Sequence, residues 1–124
     1  MPGEEDFVLH LKRSNRGLVV ELYIGEYALI VRALLGPNFL RSAIAHYLRD
    51  DLIQKELLPP MNQPQFVLPD LRTLDGRLLP EIKVGVLPAI TRFGFDMVLG
   101  LDFFAQFSEI HFYWNTLTLV LVDP

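Results

Sequence analysis

Two aspartates six residues apart, Asp96 and Asp102, bracket the run Met97-Val98-Leu99-Gly100-Leu101. Paired carboxylates do acid–base chemistry when they share a proton, one activating water while the other protonates a carbonyl. Placed on either side of a Leu-Gly turn, these two are expected to serve as turn and cap residues instead. Asp70 and Asp75 read as loop and turn residues, the second in the turn dipeptide Asp75-Gly76. His10, His46 and His111 are widely spaced, with no His-x-x-x-His or His-x-His pattern, so no metal site is expected. Ser42 and Ser108 belong to no recognisable nucleophile motif, which argues against a serine hydrolase. There is no glycine-rich phosphate loop, and no cofactor is expected. The absence of cysteine excludes disulfides, thiolate chemistry and zinc–cysteine sites.

The elements that must position these residues come from one domain, residues 1–124. Residues 1–6 are acidic and polar, unlike a signal peptide, and are expected to form a flexible N-terminal segment. With 51% apolar residues, the chain has more than a small monomer core readily hides. An oligomer interface is the simplest place for the surplus. The net charge of −4 and the lack of a basic stripe argue against nucleic acid as a partner. No apolar run reaches the ~20 residues needed to span a bilayer, so no membrane partner is expected. Cysteine usage points to an intracellular location, cytoplasmic or nuclear.

Alternation predicts a strand over Phe7–Arg13, a turn at 14–17 and a second strand over Leu18–Ile24. A tight Gly25-Glu26 turn then leads into a buried strand within Tyr27–Leu35. Asn38 can cap a helix over Phe39–Leu52, with Leu40, Ile44, Tyr47 and Leu48 on one face. Strands follow over Gln65–Leu68 and Leu79–Leu87 around Asp75-Gly76, with Pro69, Pro80 and Pro88 limiting them to edges or bulges. Ala89–Gly94 reads as a linker, Met97–Leu99 as a short strand and Leu101–Phe107 as a short helix. Ser108–Trp114 and Thr116–Val122 form a final hairpin around Asn115. The aromatic set Phe103, Phe104, Phe107, Phe112, Tyr113 and Trp114 is expected mainly in the core, with Trp114 the most exposed. The sum is a mostly-β domain of about seven strands, with one moderate and one short α-helix, closed into a small barrel.

The run Phe95-Asp96-Met97-Val98-Leu99-Gly100-Leu101-Asp102-Phe103-Phe104, with Ile110-His111-Phe112 and Leu117-Thr118-Leu119 after it, resembles the C-terminal half of retropepsin-like aspartic proteases. In that family an apolar strand ends in Leu-Gly, and a short helix and a hairpin follow. Leu99, Gly100, Asp102 and Phe103 carry the match. Leu74-Asp75-Gly76-Arg77-Leu78-Leu79-Pro80 resembles the family's flap hairpin, and the likeness spans roughly residues 17–122. It implies a closed acid-protease barrel and a homodimer in which each chain donates one catalytic aspartate.

The family's signature is Asp-Thr/Ser-Gly, followed a few residues on by an apolar pair that starts the helix. Aligning that pair with Phe39-Leu40 puts Arg32, Ala33 and Leu34 at the signature, and none of the three matches. No acidic residue lies anywhere from Tyr27 to Arg49. A guanidinium stays charged near neutral pH and cannot act as a base. The expectation is therefore a non-catalytic pseudo-protease with no catalytic residues, mediating protein–protein association, chiefly as a homodimer. By resemblance it could sit within a retroelement-derived or larger protein. Arg32, Tyr113 and Trp114 are the candidate interface residues, and a protein or peptide partner is possible. Two alternatives stay open: an active aspartic endopeptidase with an unrecognised aspartate, and an unrelated β-barrel module that binds peptides at a strand edge.

Overall fold

The computed structural model describes residues 6–27, 29–60, 64–87 and 94–123. Its strands are β1 (Phe7–Ser14), β2 (Gly17–Ile24), β3 (Leu29–Leu35), β4 (Ala43–Ala45), β5 (Gln65–Val67), β6 (Lys83–Leu87), β7 (Met97–Leu99), β8 (Glu109–Tyr113) and β9 (Thr118–Val122). Two helices, α1 (His46–Gln54) and α2 (Leu101–Phe104), follow β4 and β7. The fold is thus mostly β with two helices, as the pattern implied.

Alternation does most of the work in the first half. Phe7, Leu9 and Leu11 on β1, and Val20, Leu22 and Ile24 on β2, point into one large core. Val31 and Ala33 of β3 join them, while Arg32 and Ile30 face outward. A second, smaller core lies on the opposite face of the sheet. There Val19, Leu34 and Val98 sit on neighbouring strands and pack with Ala45 and Phe95. The middle of the sheet is therefore buried on both sides, which explains the near-continuous apolar runs of β3 and β7.

The strand order is β5-β6-β4-β7-β3-β2-β1-β9-β8. β7 lies between β3, to which it is parallel, and β4, to which it is antiparallel. The chain must therefore cross the end of β7 to get from β3 to β4. This crossing, residues 36–42, is the key topological event of the fold.

Several expectations need correction. The order has two ends, β5 and β8, so the sheet is not a closed barrel, and it has nine strands where about seven were counted. The helix expected from Phe39 starts only at His46, and its N-cap is Ala45, not Asn38. The intervening Ala43-Ile44-Ala45 is a fully buried strand paired with both β6 and β7. Two ladders and complete burial outweigh the helical spacing of Leu40, Ile44, Tyr47 and Leu48. The helix is held by Leu48 and Leu52, one turn apart and both buried. The β2–β3 connection is longer than two residues, since pairing ends at Ile24 opposite Leu29 and both Glu26 and Tyr27 take positive φ.

Strands β5 and β6 do pair antiparallel, but the Asp75-Gly76 segment between them is not a simple hairpin. It is irregular chain tied by single bridges, Tyr23 to Arg72 and Arg72 to Leu78. Pro69 and Pro80 lie in that irregular chain, outside the strands. Pro88 and all of the expected linker except Gly94 lie outside the described residues, as do residues 1–5. The last hairpin forms as expected, β8 with β9.

A core test separates the two readings of residues 39–45. A helix would place Leu40 and Ile44 on one face, yet Ile44 is 0% exposed and Leu40 is 77% exposed. Ile44→Ala should lose about 2–5 kcal/mol of unfolding free energy, and Leu40→Ala about 0.5 or less, by urea denaturation.

Candidate functional site

The crossing loop, residues 36–42, is bonded to the strand end beneath it. Gly36 donates from its N–H to the Leu99 carbonyl at 2.9 Å, extending the β3–β7 ladder by one bond. The loop then turns back, with Phe39 N–H bonded to the Gly36 carbonyl at 2.9 Å. From the other side, Leu101 N–H reaches the Phe39 carbonyl at 2.7 Å. The loop and the start of α2 thus share backbone hydrogen bonds.

One carboxylate closes the arrangement. Asp102 accepts from the Ser42 N–H at 2.9 Å, from the Ser42 hydroxyl at 2.7 Å and from the Phe103 N–H at 2.8 Å. The same hydroxyl oxygen accepts from Gly100 N–H at 2.8 Å. Ser42 is buried, and its N–H and hydroxyl are both bonded here. Asp102 was expected as a cap near the helix start. It does bond the first turn, and its larger role is to tie α2 to the crossing loop.

Gly100 is needed here for space. Its φ of −91° is open to any residue. A Cβ, however, would stand 2.6 Å from the Arg41 carbonyl carbon and 2.9 Å from the Phe39 oxygen, which are backbone atoms that cannot swing away. The loop lies so close over β7 that only glycine fits.

Asp96 plays the matching part at the other end of β7. One oxygen accepts the Arg32 N–H at 2.9 Å, and the other accepts the Tyr47 hydroxyl of α1. Burial and then the neighbouring Asp96 carboxylate push the Tyr47 phenol above its ordinary range. Asp96 and Asp102 therefore engage different partners at opposite ends of one short strand, as ties between elements and not as the turn and cap residues expected.

Arg32, Ala33 and Leu34 lie inside β3, paired with β2 on one side and leading into the β7 ladder on the other. The Arg32 side chain is exposed, opposite Glu21, and donates to the Gly94 carbonyl at 3.3 Å. These three residues therefore do not form a loop. The chain leaves the ladder after the Gly36 N–H bond, at Pro37 and Asn38.

The flap-like segment is latched to the β2–β3 turn. Arg72 binds Asp70 at 2.5 Å and the Gly76 carbonyl at 2.9 Å, and it lies 5.5 Å from the Tyr27 ring centre. Thr73 closes the turn by accepting Arg77 N–H at 3.1 Å. Asp70 and Asp75 are thus loop and turn residues, as read. Ser108 bonds the Val122 carbonyl at 3.2 Å, and His111 sits 3.2 Å from Glu109. Among the described residues no group of three or more His, Cys, Asp or Glu could hold a metal, and no helix is long and apolar enough to cross a membrane.

Beside the crossing loop runs an apolar groove of about 370 Å³, with Leu35, Pro37, Leu101, Phe104, Ile110 and Phe112 in its walls. Of the aromatic set, Phe103, Phe104 and Phe107 are core and Phe112 is half-buried. Tyr113 and Trp114 are exposed, Trp114 the most at 69%.

No family model matches the chain, and no curated protein matches it. Among solved structures it is similar to the crystal structure of a retropepsin-like aspartic protease from Rickettsia conorii. The TM-score is 0.60 at 13% identity, covering 94% of this chain and 88% of that one. The likeness is one of fold.

Two variants test the pins. Ser42→Ala, which removes a donor from the Asp102 carboxylate, should cost about 1–3 kcal/mol in chemical denaturation. For Tyr47, the folded chain holds the phenolic proton after the unfolded chain has released it at about pH 10. Stability should then fall as pH rises past that point, and Tyr47→Phe should show a shallower alkaline decline.

Proposed function

We propose that this chain is a non-catalytic retropepsin-like domain whose role is protein–protein association, chiefly with a second copy of itself. The observation that carries the reading is the make-up of the crossing loop. By resemblance, the family's catalytic aspartate would stand where β3 leaves the sheet, here at Gly36-Pro37-Asn38. None of these residues ionises, and the stretch from Tyr27 to Arg49 holds no carboxylate. Hydrolysis by this fold needs two carboxylates sharing a proton, one from each chain. A loop without an acid can supply neither the base that activates water nor the acid that protonates the carbonyl.

The nearest acids have other partners. Asp102 holds the loop down and Asp96 joins β3 to α1. This weighs against an active endopeptidase with an unrecognised aspartate. Support for association comes from the surface. The groove beside the loop is apolar, and Leu101 and Ile110 in its walls are exposed large side chains. An exposed apolar groove of this kind is the sort of surface that partners cover. The fold neighbour gives the reading its frame, and fold alone does not establish function. A retroelement-derived parent protein belongs to this same reading.

The purified protein is expected to leave unfolded protein substrates intact across acidic and neutral pH. Pepstatin-sensitive cleavage abolished by Asp96→Asn or Asp102→Asn would overturn the pseudo-protease reading. Light scattering at micromolar concentration should give the mass of a dimer, and a monomer mass at high concentration would overturn the association.

A further inference from the structure

Two short runs of one kind face each other in the segment that joins β5 to β6: Leu68-Pro69-Asp70-Leu71 and Leu79-Pro80-Glu81-Ile82. Leu68 N–H donates to the Ile82 carbonyl at 3.0 Å, and Leu79 N–H to the Leu71 carbonyl at 2.8 Å. Among the described residues, no other backbone bond joins the two runs. Leu68, Leu71, Leu79 and Ile82 are all buried. Side chains on one face of a strand are two residues apart, so a spacing of three means that each run turns over at its proline. Asp70 takes part in the turnover with a φ of 48°.

The turnover opens a cleft of about 420 Å³. Val67, paired with Lys83, and Leu78, bridged to Arg72, stand at its two ends, and both are exposed. Pro69 and Pro80 lie between them. The polar groups of the cleft are weighted to acceptors. Proline has no N–H, so the two runs hold two fewer backbone donors than carbonyls. Asp70 and Glu81 add carboxylates. Asp70 is held by Arg72 at 2.5 Å. Glu81 is exposed and, among the described residues, has no bonded partner, Lys83 two positions on included.

We propose that this cleft docks an arginine-bearing extended segment of another protein. The aliphatic stem of the arginine lies along Pro69 and Pro80, since such stems cover apolar surface while the charged head stays in polar surroundings. The guanidinium offers donors only, in a rigid fork. A fork of this kind can bond the Glu81 carboxylate and a carbonyl of the runs together, which a point-charge ammonium does less well. Val67 and Leu78 give apolar contacts to the residues on either side of the arginine, contacts that a free amino acid would leave unmade. Charge favours the same occupant, because Glu81 is unpaired and the chain carries −4 overall. A second copy of so acidic a chain fits less well. The cleft adjoins β5, at the other end of the strand order from β8. The proposal goes beyond self-association and stands whether or not the chain dimerises.

The probe is the blocked tripeptide acetyl-Val-Arg-Val-amide, titrated into nitrogen-15-labelled protein. Saturable amide shifts are expected at Leu68, Leu71, Leu79 and Glu81. The citrulline analogue, which keeps the shape and removes the charge, should bind about tenfold more weakly or worse, and so should the arginine peptide to Glu81→Gln. Glu109→Gln, a carboxylate removed from an exposed site on β8, should bind as the unaltered protein does. No saturable shift at those amides up to about 10 mM peptide overturns the proposal. Equal binding of the citrulline peptide, or of the arginine peptide to Glu81→Gln, overturns it too. If the same amides shift with protein concentration alone, the cleft belongs to a second copy and the proposal fails.

Discussion

The Asp102 carboxylate gathers three donors from two parts of the chain, Ser42 N–H, Ser42 hydroxyl and Phe103 N–H. The rest of the structure depends on that gathering. Strand β7 separates β3 from β4, so the chain must pass over its end. A loop there would leave backbone donors unpaired against a packed core. Asp102 and Ser42 supply the missing partners, and Gly100 supplies the clearance. With the loop seated, Ala43-Ile44-Ala45 can slot between β6 and β7 and α1 can follow.

Asp96 repeats the device at the start of β7, bonding Arg32 on β3 and Tyr47 on α1. A three-residue strand is thus fixed at both ends by carboxylates that bridge to other elements. Hydrogen bonds to a charged acceptor are among the stronger ones, and here they join segments about 60 residues apart in sequence. The two aspartates that open any search for chemistry in this sequence are positioned as structural ties. Beside the loop lies an apolar groove along Leu35, Pro37 and Leu101, bordered by the Ile110 and Phe112 face of the edge strand. This distribution of polar and apolar surface is the physical basis for reading the molecule as a binding domain.

Much of this was legible along the chain. The alternation of β1, β2 and β9 predicted strands because each buries one face, and side-chain parity is a local property. Leu99-Gly100-Leu101-Asp102-Phe103 was legible for a different reason. A strand, a close-packed glycine, a bonding aspartate and a short helix follow within five residues, so their order in sequence mirrors their order in space. The segment Phe39–Ala45 was misread. Leu40, Ile44, Tyr47 and Leu48 have helical spacing, but a strand flanked by two ladders is decided by residues 40 and more positions away. That misreading put the helix start at Phe39, seven residues before His46, where the helix begins.

By itself the sequence determined the mostly-β class, the final hairpin, the Leu-Gly turn and the absence of any acid between Tyr27 and Arg49. Each is a matter of local pattern or simple residue identity. Only the tertiary structure decided where β3 leaves the sheet, that Gly100 is required for backbone clearance, and that the sheet stays open with β8 at its end. These depend on which strands become neighbours. Neighbours are chosen by long-range pairing and core packing, whose free energies are summed over residues far apart in the chain.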